Sequence, residues 1–184
     1  MKVKYFLVIL IPLLIIFLNF QFIIFSNGNS TAVNENVLNY FKNRGDLKFN
    51  FTMEETVHLK DVKSLINTLN ITTAVLAIIT AIILILNKET ISKQLILAGI
   101  ISAGIVLILA VIDYSTLFTL FHKTLFTNNY WILPKESLLI KTYPSDFFTN
   151  ASKRLALNII ITSFVSTGLG IIQNVHTRHK SSAD

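Results

Sequence analysis

The chain has 184 residues, of which 52% are apolar and only 14% charged, with a formal charge of +6 and no cysteine. A soluble domain carries about a quarter of its residues as Asp, Glu, Lys and Arg, and one core of this size cannot hide so much Ile, Leu and Phe from water. The composition therefore excludes an ordinary soluble enzyme, a disordered chain, a disulfide framework, a cysteine-ligated metal centre and a thiolate nucleophile, and it points to a bilayer.

A hydrocarbon core about 30 Å thick needs around 20 apolar residues. Four stretches qualify, at about 6–25, 65–86, 95–112 and 155–172. They predict an α-helical integral membrane protein, a single membrane domain over 1–184, with four transmembrane helices and a small extracytoplasmic cap built from the two long segments 26–64 and 113–154. The first stretch competes with a signal peptide whose basic start is Lys2 and Lys4 and whose cleavage site is Ser30-Thr31-Ala32. Its apolar run exceeds the usual 7–15 residues of a signal core, so it is expected to stay uncleaved.

Orientation follows from basic residues near span ends. Lys2 and Lys4, Lys88 and Lys93, and Arg178 and Lys180 fall in three short flanking segments. These read as cytoplasmic, leaving both termini inside and both long segments outside. The positive balance then belongs to span flanks, and no nucleic-acid partner is expected.

In the first long segment, the alternation of Asp46-Leu-Lys-Phe-Asn-Phe51 predicts a short strand. Thr52-Met-Glu-Glu55 fits a capping box. A helix from there to Leu86 is about 50 Å long at 1.5 Å per residue, so its first turns stand outside the hydrocarbon. On those turns Glu54, His58 and Asp61 share one face, and Glu55 neighbours His58. A carboxylate beside an imidazole fixes its tautomer and raises its basicity, as a general base needs. Spacing alone favours the plainer reading, a solvated polar face.

The third span, carried through to Phe121, is too long to cross without strong tilt. It is expected to leave the bilayer near Asp113 and continue to Phe126 as an interfacial helix, with Phe118, Phe121 and Leu125 turned toward lipid. His122 rides on that helix, on the same side as His58, whereas His176 and His179 belong to the tail. Tyr130, Trp131 and Tyr143 are either interfacial belt residues or the wall of a headgroup pocket. In the fourth span Ser163, Ser166, Thr167, Gly168 and Gly170 are small enough for close helix packing, as are Gly99 and Ala103 in the third. Asn158 is expected to bond across the bundle.

Three motifs stand in order along this frame. His58-Leu-Lys-Asp-Val-Lys63 resembles the HLxDVK signature of a four-span bacterial membrane family. Asp113-Tyr-Ser-Thr-Leu-Phe-Thr-Leu-Phe-His122 is similar to its FDxLFxxFH-like run, with the first two residues departing from the usual Phe-Asp order. Trp131 followed by Glu136-Ser-Leu-Leu-Ile-Lys-Thr-Tyr-Pro-Ser-Asp-Phe-Phe148 resembles the third, with Glu136 in place of the common Asp. The family is that of the lipoprotein intramolecular transacylases. The resemblance implies transfer of the sn-2 acyl chain of a diacylglyceryl lipoprotein to the α-amino group of its N-terminal cysteine, giving a lyso-form lipoprotein. It further implies an acyltransferase with His58 and His122 as catalytic residues and no metal or cofactor. Asp61, Asp113, Tyr130 and Trp131 are expected to support these histidines or meet the substrate. The partners are then the diacylated lipoprotein and membrane lipids, with the active site on the extracytoplasmic face of a multi-pass cell-membrane protein.

The competing reading is a non-enzymatic four-span protein, a sensor or assembly factor, whose cap binds a partner and whose histidines are structural. A transporter is disfavoured, since apart from Asp113 at an edge no ionisable residue lies within a span.

Overall fold

A computed structural model describes residues 6–26, 31–87 and 90–181, with side chains through His176. Of the basic flanks, Lys2, Lys4 and Lys88 and the side chains of Arg178 and Lys180 lie outside the described residues, as does Ser30. Seven helices are described: α1 (Leu7–Ser26), α2 (Ala32–Phe41), α3 (Met53–Leu86), α4 (Ile91–Ala110), α5 (Tyr114–Leu125), α6 (Leu138–Thr142) and α7 (Ser145–Ser181). Four of them, α1, α3, α4 and α7 over Ser145–His176, are long and apolar enough to cross a membrane. The chain is a multi-pass α-helical membrane protein.

Helix ends follow local chemistry. Thr31, Asp113 and Ser137 sit in extended backbone, and each accepts a backbone N–H of the following turn, opening α2, α5 and α6. At the far end of α2, Asn43 takes a left-handed conformation (φ 57°) and lets the Arg44 N–H return to the Asn39 carbonyl at 2.8 Å.

The chain packs as two compact units. One draws on Met1–Phe20, Ile71–Val111 and Leu155–Asp184. On α3 its exposed face carries Ile71, Val75, Ile78, Ile82 and Ile85, at i, i+4, i+7, i+11 and i+14, which makes a stripe fit for lipid. Small and polar side chains face inward instead: Thr73, Thr80, Ser102, Ser163 and Ser166 are all buried. Lipid gives no hydrophobic drive between spans, so close packing and hydrogen bonds must hold them. Gly99 of α4 lies against the Ser163 carbonyl and Thr167 of α7, and Gly170 leaves no room for a side chain against Ser92 and Ile96. Ser166 Oγ donates to the Leu95 carbonyl at 2.9 Å. Asn158 was expected to bond across the bundle, but the bond into this part of α7 comes from Asn19 Nδ2 to Thr162 Oγ1 at 3.1 Å. Leu7, Ile11, Ile83 and Ala98 form the apolar centre of this unit.

The other unit comprises Gln21–Asn70 and Ile112–Arg154. Its apolar centre is Val37, Leu59 and Leu139, with Tyr40, Phe51, Leu133 and Tyr143 packed around them. The strand predicted at Asp46–Phe51 is not formed, and no strand occurs among the described residues. The segment has no regular structure and bends at Phe49, and the Asn36 side chain holds it in place of a neighbouring strand. Asn36 Nδ2 donates to the Asp46 carbonyl at 2.9 Å and Asn36 Oδ1 accepts the Lys48 N–H at 2.9 Å. One amide thus satisfies the two backbone groups that a ladder would have paired, with no second chain segment required.

Candidate active site

The first turn of α3 fixes the site. Thr52 Oγ1 accepts the Glu55 N–H at 3.3 Å while Glu55 Oε2 accepts the Thr52 N–H at 2.7 Å, which is the capping box the sequence spells. Glu55 is fully buried, and its other oxygen, Oε1, accepts the Leu139 N–H at 2.8 Å. Both oxygens are occupied, so Glu55 ties α3 to the start of α6 and is not the carboxylate that serves His58. A parallel tie joins Tyr143, whose hydroxyl donates to Asn34 Oδ1 of α2 at 2.9 Å.

One turn further along α3, His58 is half-buried with Nδ1 enclosed and unpartnered. His122, on α5, is buried, and its ring centroid lies 6.0 Å from that of His58 with 33° between the planes. Aromatic rings enclose His122: Phe118 at 4.0 Å, Trp131 at 4.9 Å, Phe121 at 5.4 Å and Phe126 at 5.6 Å. Phe126 also meets His58 edge-on at 5.2 Å and so stands against both imidazoles. The expectation that Phe118 faces lipid is corrected here. Its spacing of four from His122 puts it over the imidazole, where it also meets Trp131 and Phe148, at 6.5 and 5.8 Å.

His122 Nδ1 lies 2.7 Å from the Phe118 carbonyl. A carbonyl only accepts, so Nδ1 carries the proton and the neutral ring keeps its lone pair on Nε2. Both histidines lie outside the apolar 65–86 stretch of α3. Burial pushes His58 from 6.5 down to about 4, His122 adds to the effect, and Asp61 opposes it. Burial lowers His122 too, partly offset by its bond to the Phe118 carbonyl. Both rings are therefore neutral at pH 7.

The other expected site residues divide. Asp61 stands on α3 three residues beyond His58, and its Oδ2 accepts from Asn128 Nδ2 at 2.8 Å. Trp131 stacks on His122. Tyr130 is exposed and enters only through its backbone N–H, 3.0 Å from Asn128 Oδ1. Asp113 is exposed and caps α5 by accepting the Thr116 N–H at 2.9 Å, and the Thr116 hydroxyl, followed by that N–H, holds its carboxyl below the ordinary carboxylate value. A cleft of about 270 Å³ opens beside the histidines, lined by Asp61, Ser64, Thr68, Leu125, Phe126 and Asn128 among others. Sequence reasoning missed Phe126 and Asn128. The i, i+4 pair Phe118 and His122 was readable as one face of α5, but Phe126 reaches the rings from extended backbone just past the helix end, and nothing in the Asn-Asn-Tyr-Trp run marks Asn128 as the partner of Asp61.

A family model for lipoprotein intramolecular transacylase Lit matches residues 25–148, more than half of the chain. The chain belongs to the lipoprotein intramolecular transacylase family. It is thus a member of an acyltransferase family. Among solved structures, the membrane-integral transacylase Lit from Bacillus cereus superposes with a TM-score of 0.85 over 96% of each chain at 20% identity. A histidine-to-alanine form of that protein gives a TM-score of 0.79, covering 96% of this chain and 94% of the other at 20% identity. No curated protein sequence matches the chain. The transacylase match spans α2, α3, α4, α5 and α6 and stops at Phe148, so it takes in both histidines and every aromatic ring packed on them.

Proposed function

We propose that this transacylase moves the sn-2 acyl chain of a diacylglyceryl lipoprotein onto the α-amino group of its N-terminal cysteine, with His122 as base and His58 as hydrogen-bond donor. The observation that carries this reading is the pair of neutral imidazoles 6.0 Å apart in an aromatic enclosure. Aminolysis of an ester needs a neutral amine, a base for its proton and a donor for the oxyanion. The Nδ1–H of His122 is held by the Phe118 carbonyl, so Nε2 is free to take the amine proton. For His58 the enclosed, unpartnered Nδ1 is better left as a lone pair than as a buried N–H, because orphaned donors are the rarer and costlier state. Its proton then sits on Nε2, available to the oxyanion.

In the reaction the amine nitrogen attacks the ester carbonyl, the C–N bond forms, and the amine proton passes to His122 Nε2. His58 Nε2–H stabilises the tetrahedral oxyanion. The C–O bond to the glyceryl sn-2 oxygen then breaks, and that oxygen takes the proton from the His122 imidazolium, which leaves both rings as they began. Amine and ester belong to one substrate molecule, so its own geometry removes much of the entropic barrier. The chain has no cysteine, so no enzyme thioester can form, which favours direct attack. The site faces the extracytoplasmic side and both termini the cytoplasm, supported by lysines and arginines in the short flanking segments.

Co-expression with a model diacylated lipoprotein in a background lacking this activity, followed by mass spectrometry of the lipoprotein N-terminus, tests the reading. The wild-type chain yields lyso-form product, while His58→Ala and His122→Ala each lose it by roughly a hundredfold or more. Retained product in either variant removes that residue from the mechanism. Unmodified lipoprotein with the wild-type chain favours the non-enzymatic alternative.

A further inference from the structure

Trp131 covers His122, yet the segment that carries it has no regular structure. Helix α5 ends at Leu125, and residues 126–137 form turns and extended chain until α6. The immediate neighbours Tyr130 and Ile132 are both exposed, and burial holds the chain only beyond them, where Leu133 packs on Val37, Leu59 and Leu139. On the side that leads into Trp131, a short chain of hydrogen bonds fixes the segment. Asn128 Nδ2 donates to Asp61 Oδ2 at 2.8 Å, anchoring the loop to α3. The same side chain accepts the Tyr130 N–H on Oδ1 at 3.0 Å, which turns the backbone, and the Ile132 N–H reaches the Asn129 carbonyl at 3.0 Å to close the turn. The result is an indole 4.9 Å from the His122 ring, inclined by 33°.

We propose that Asp61 and Asn128 form a clamp that seats Trp131 on His122, making both of them positioning residues for the histidine pair. Asp61 lies one helical turn beyond His58 on a rigid helix, so a single carboxylate references the His122 enclosure to the helix that carries His58. A seated indole keeps water from His122 and limits rotation of its ring, so that Nε2 stays aimed. The bearing of the clamp on acyl transfer rests on the function proposed above. The geometry of the clamp does not, and the two are tested apart.

Trp131 is the only tryptophan in the chain, so intrinsic emission reports on this ring alone. Protonated imidazole quenches an indole in contact with it, so the full-length protein in detergent should show an intensity step as His122 titrates. His122→Gln, which cannot titrate, gives the baseline. Asn128→Asp sets two carboxylates against each other. It is expected to abolish the step and to lower lyso-form yield at least roughly tenfold, as loss of a hydrogen bond to a charged group does. Asp61→Asn combined with Asn128→Asp exchanges donor and acceptor, keeps an acceptor for the Tyr130 N–H, and should restore both readouts to within about twofold. A loop that is merely stabilising would not recover through this exchange. Asn128→Asp that keeps the step and the yield overturns the clamp, and so does a double variant that melts like wild type but stays impaired. If Asn128→Asp does not fold, Asn128→Ala is read in its place, with the same loss of the step expected. A wild-type chain that yields no lyso-form product overturns the transfer reading, while the emission arm still decides the clamp.

Discussion

Burial acts on both histidines in the same direction, and at the residue scale this sets their chemistry. An imidazole removed from water loses more hydration as a cation than as a neutral ring, so its proton leaves at lower pH. His58 drops to about 4, with its neighbour His122 lowering it further and Asp61 alone opposing the shift. The sign of a test follows directly. Asp61→Asn removes a negative charge that favours imidazolium, so the His58 midpoint moves below its wild-type value. Ring resonances of labelled histidine measure this, with the His58 signal assigned by its absence in His58→Gln. A midpoint that rises or stays fixed shows that the Asp61 charge does not act on the ring. Stability carries the same sign. The unfolded chain titrates near 6.5 and the folded one near 4, so between these values the unfolded state binds more protons. The contribution of His58 to stability is thus complete above about 6.5 and falls as pH drops toward about 4. The melting temperature should decline across that window, and more shallowly in His58→Gln.

At the scale of the element, helices that face lipid are held by what they lack. Gly99 of α4 admits the Ser163 carbonyl and the Thr167 hydroxyl of α7 into the space a Cβ would need. One of these obstacles is backbone, which cannot swing aside. Gly99→Ala therefore forces the helices apart and should destabilise the protein by about 1–3 kcal/mol. Gly104, on the same helix, has nothing within 4 Å of where its Cβ would lie. Gly104→Ala should instead gain about 0.5–1 kcal/mol of helix stability. Thermal unfolding of the two variants in one detergent checks the opposite signs, and equal shifts would show that contact with α7 does not set the cost. This packing was legible in the sequence, because small residues recur where two spans must approach. The capping box at Thr52 was legible too, and so was the break at Asp113, although the sequence marked that carboxylate as a site residue and the structure uses it to cap α5. The Asp46–Phe51 segment was not. Alternation records which side chains are buried, and it is blind to whether the backbone partner is a strand or the Asn36 amide. The path of Phe118 was misread for a related reason. An apolar residue on an interfacial helix suits lipid and an aromatic cluster equally well, and only the tertiary contact with His122 and Trp131 decides.

For the whole molecule, hydropathy gives the architecture because a bilayer leaves few alternatives: every span must satisfy its backbone internally and present apolar side chains outward. The exposed Ile71-to-Ile85 stripe and the buried serines and threonines invert the pattern of a soluble bundle, and that inversion is visible in composition before any helix is placed. The pairing of His58 with His122 is a different kind of fact, since 64 positions of chain separate them, and the span topology and motif order put them on one side without bringing the rings together. Sidedness is the remaining property of the whole, and the cysteine-free sequence makes it directly measurable. Any single introduced cysteine is the only thiol in the protein, so labelling needs no background correction. Arg44 and Lys135 are exposed on the two long segments, while Lys93 and His176 are exposed on segments assigned to the cytoplasm. With intact cells and a membrane-impermeant maleimide, Arg44→Cys and Lys135→Cys should label, and Lys93→Cys and His176→Cys should label only after the membrane is opened. The inverse pattern would put the histidine pair on the cytoplasmic side, facing away from the lipoproteins that the proposed reaction consumes. Labelling of all four in intact cells would mean that no fixed orientation exists, and the flanking lysines would then have to be read as headgroup contacts instead.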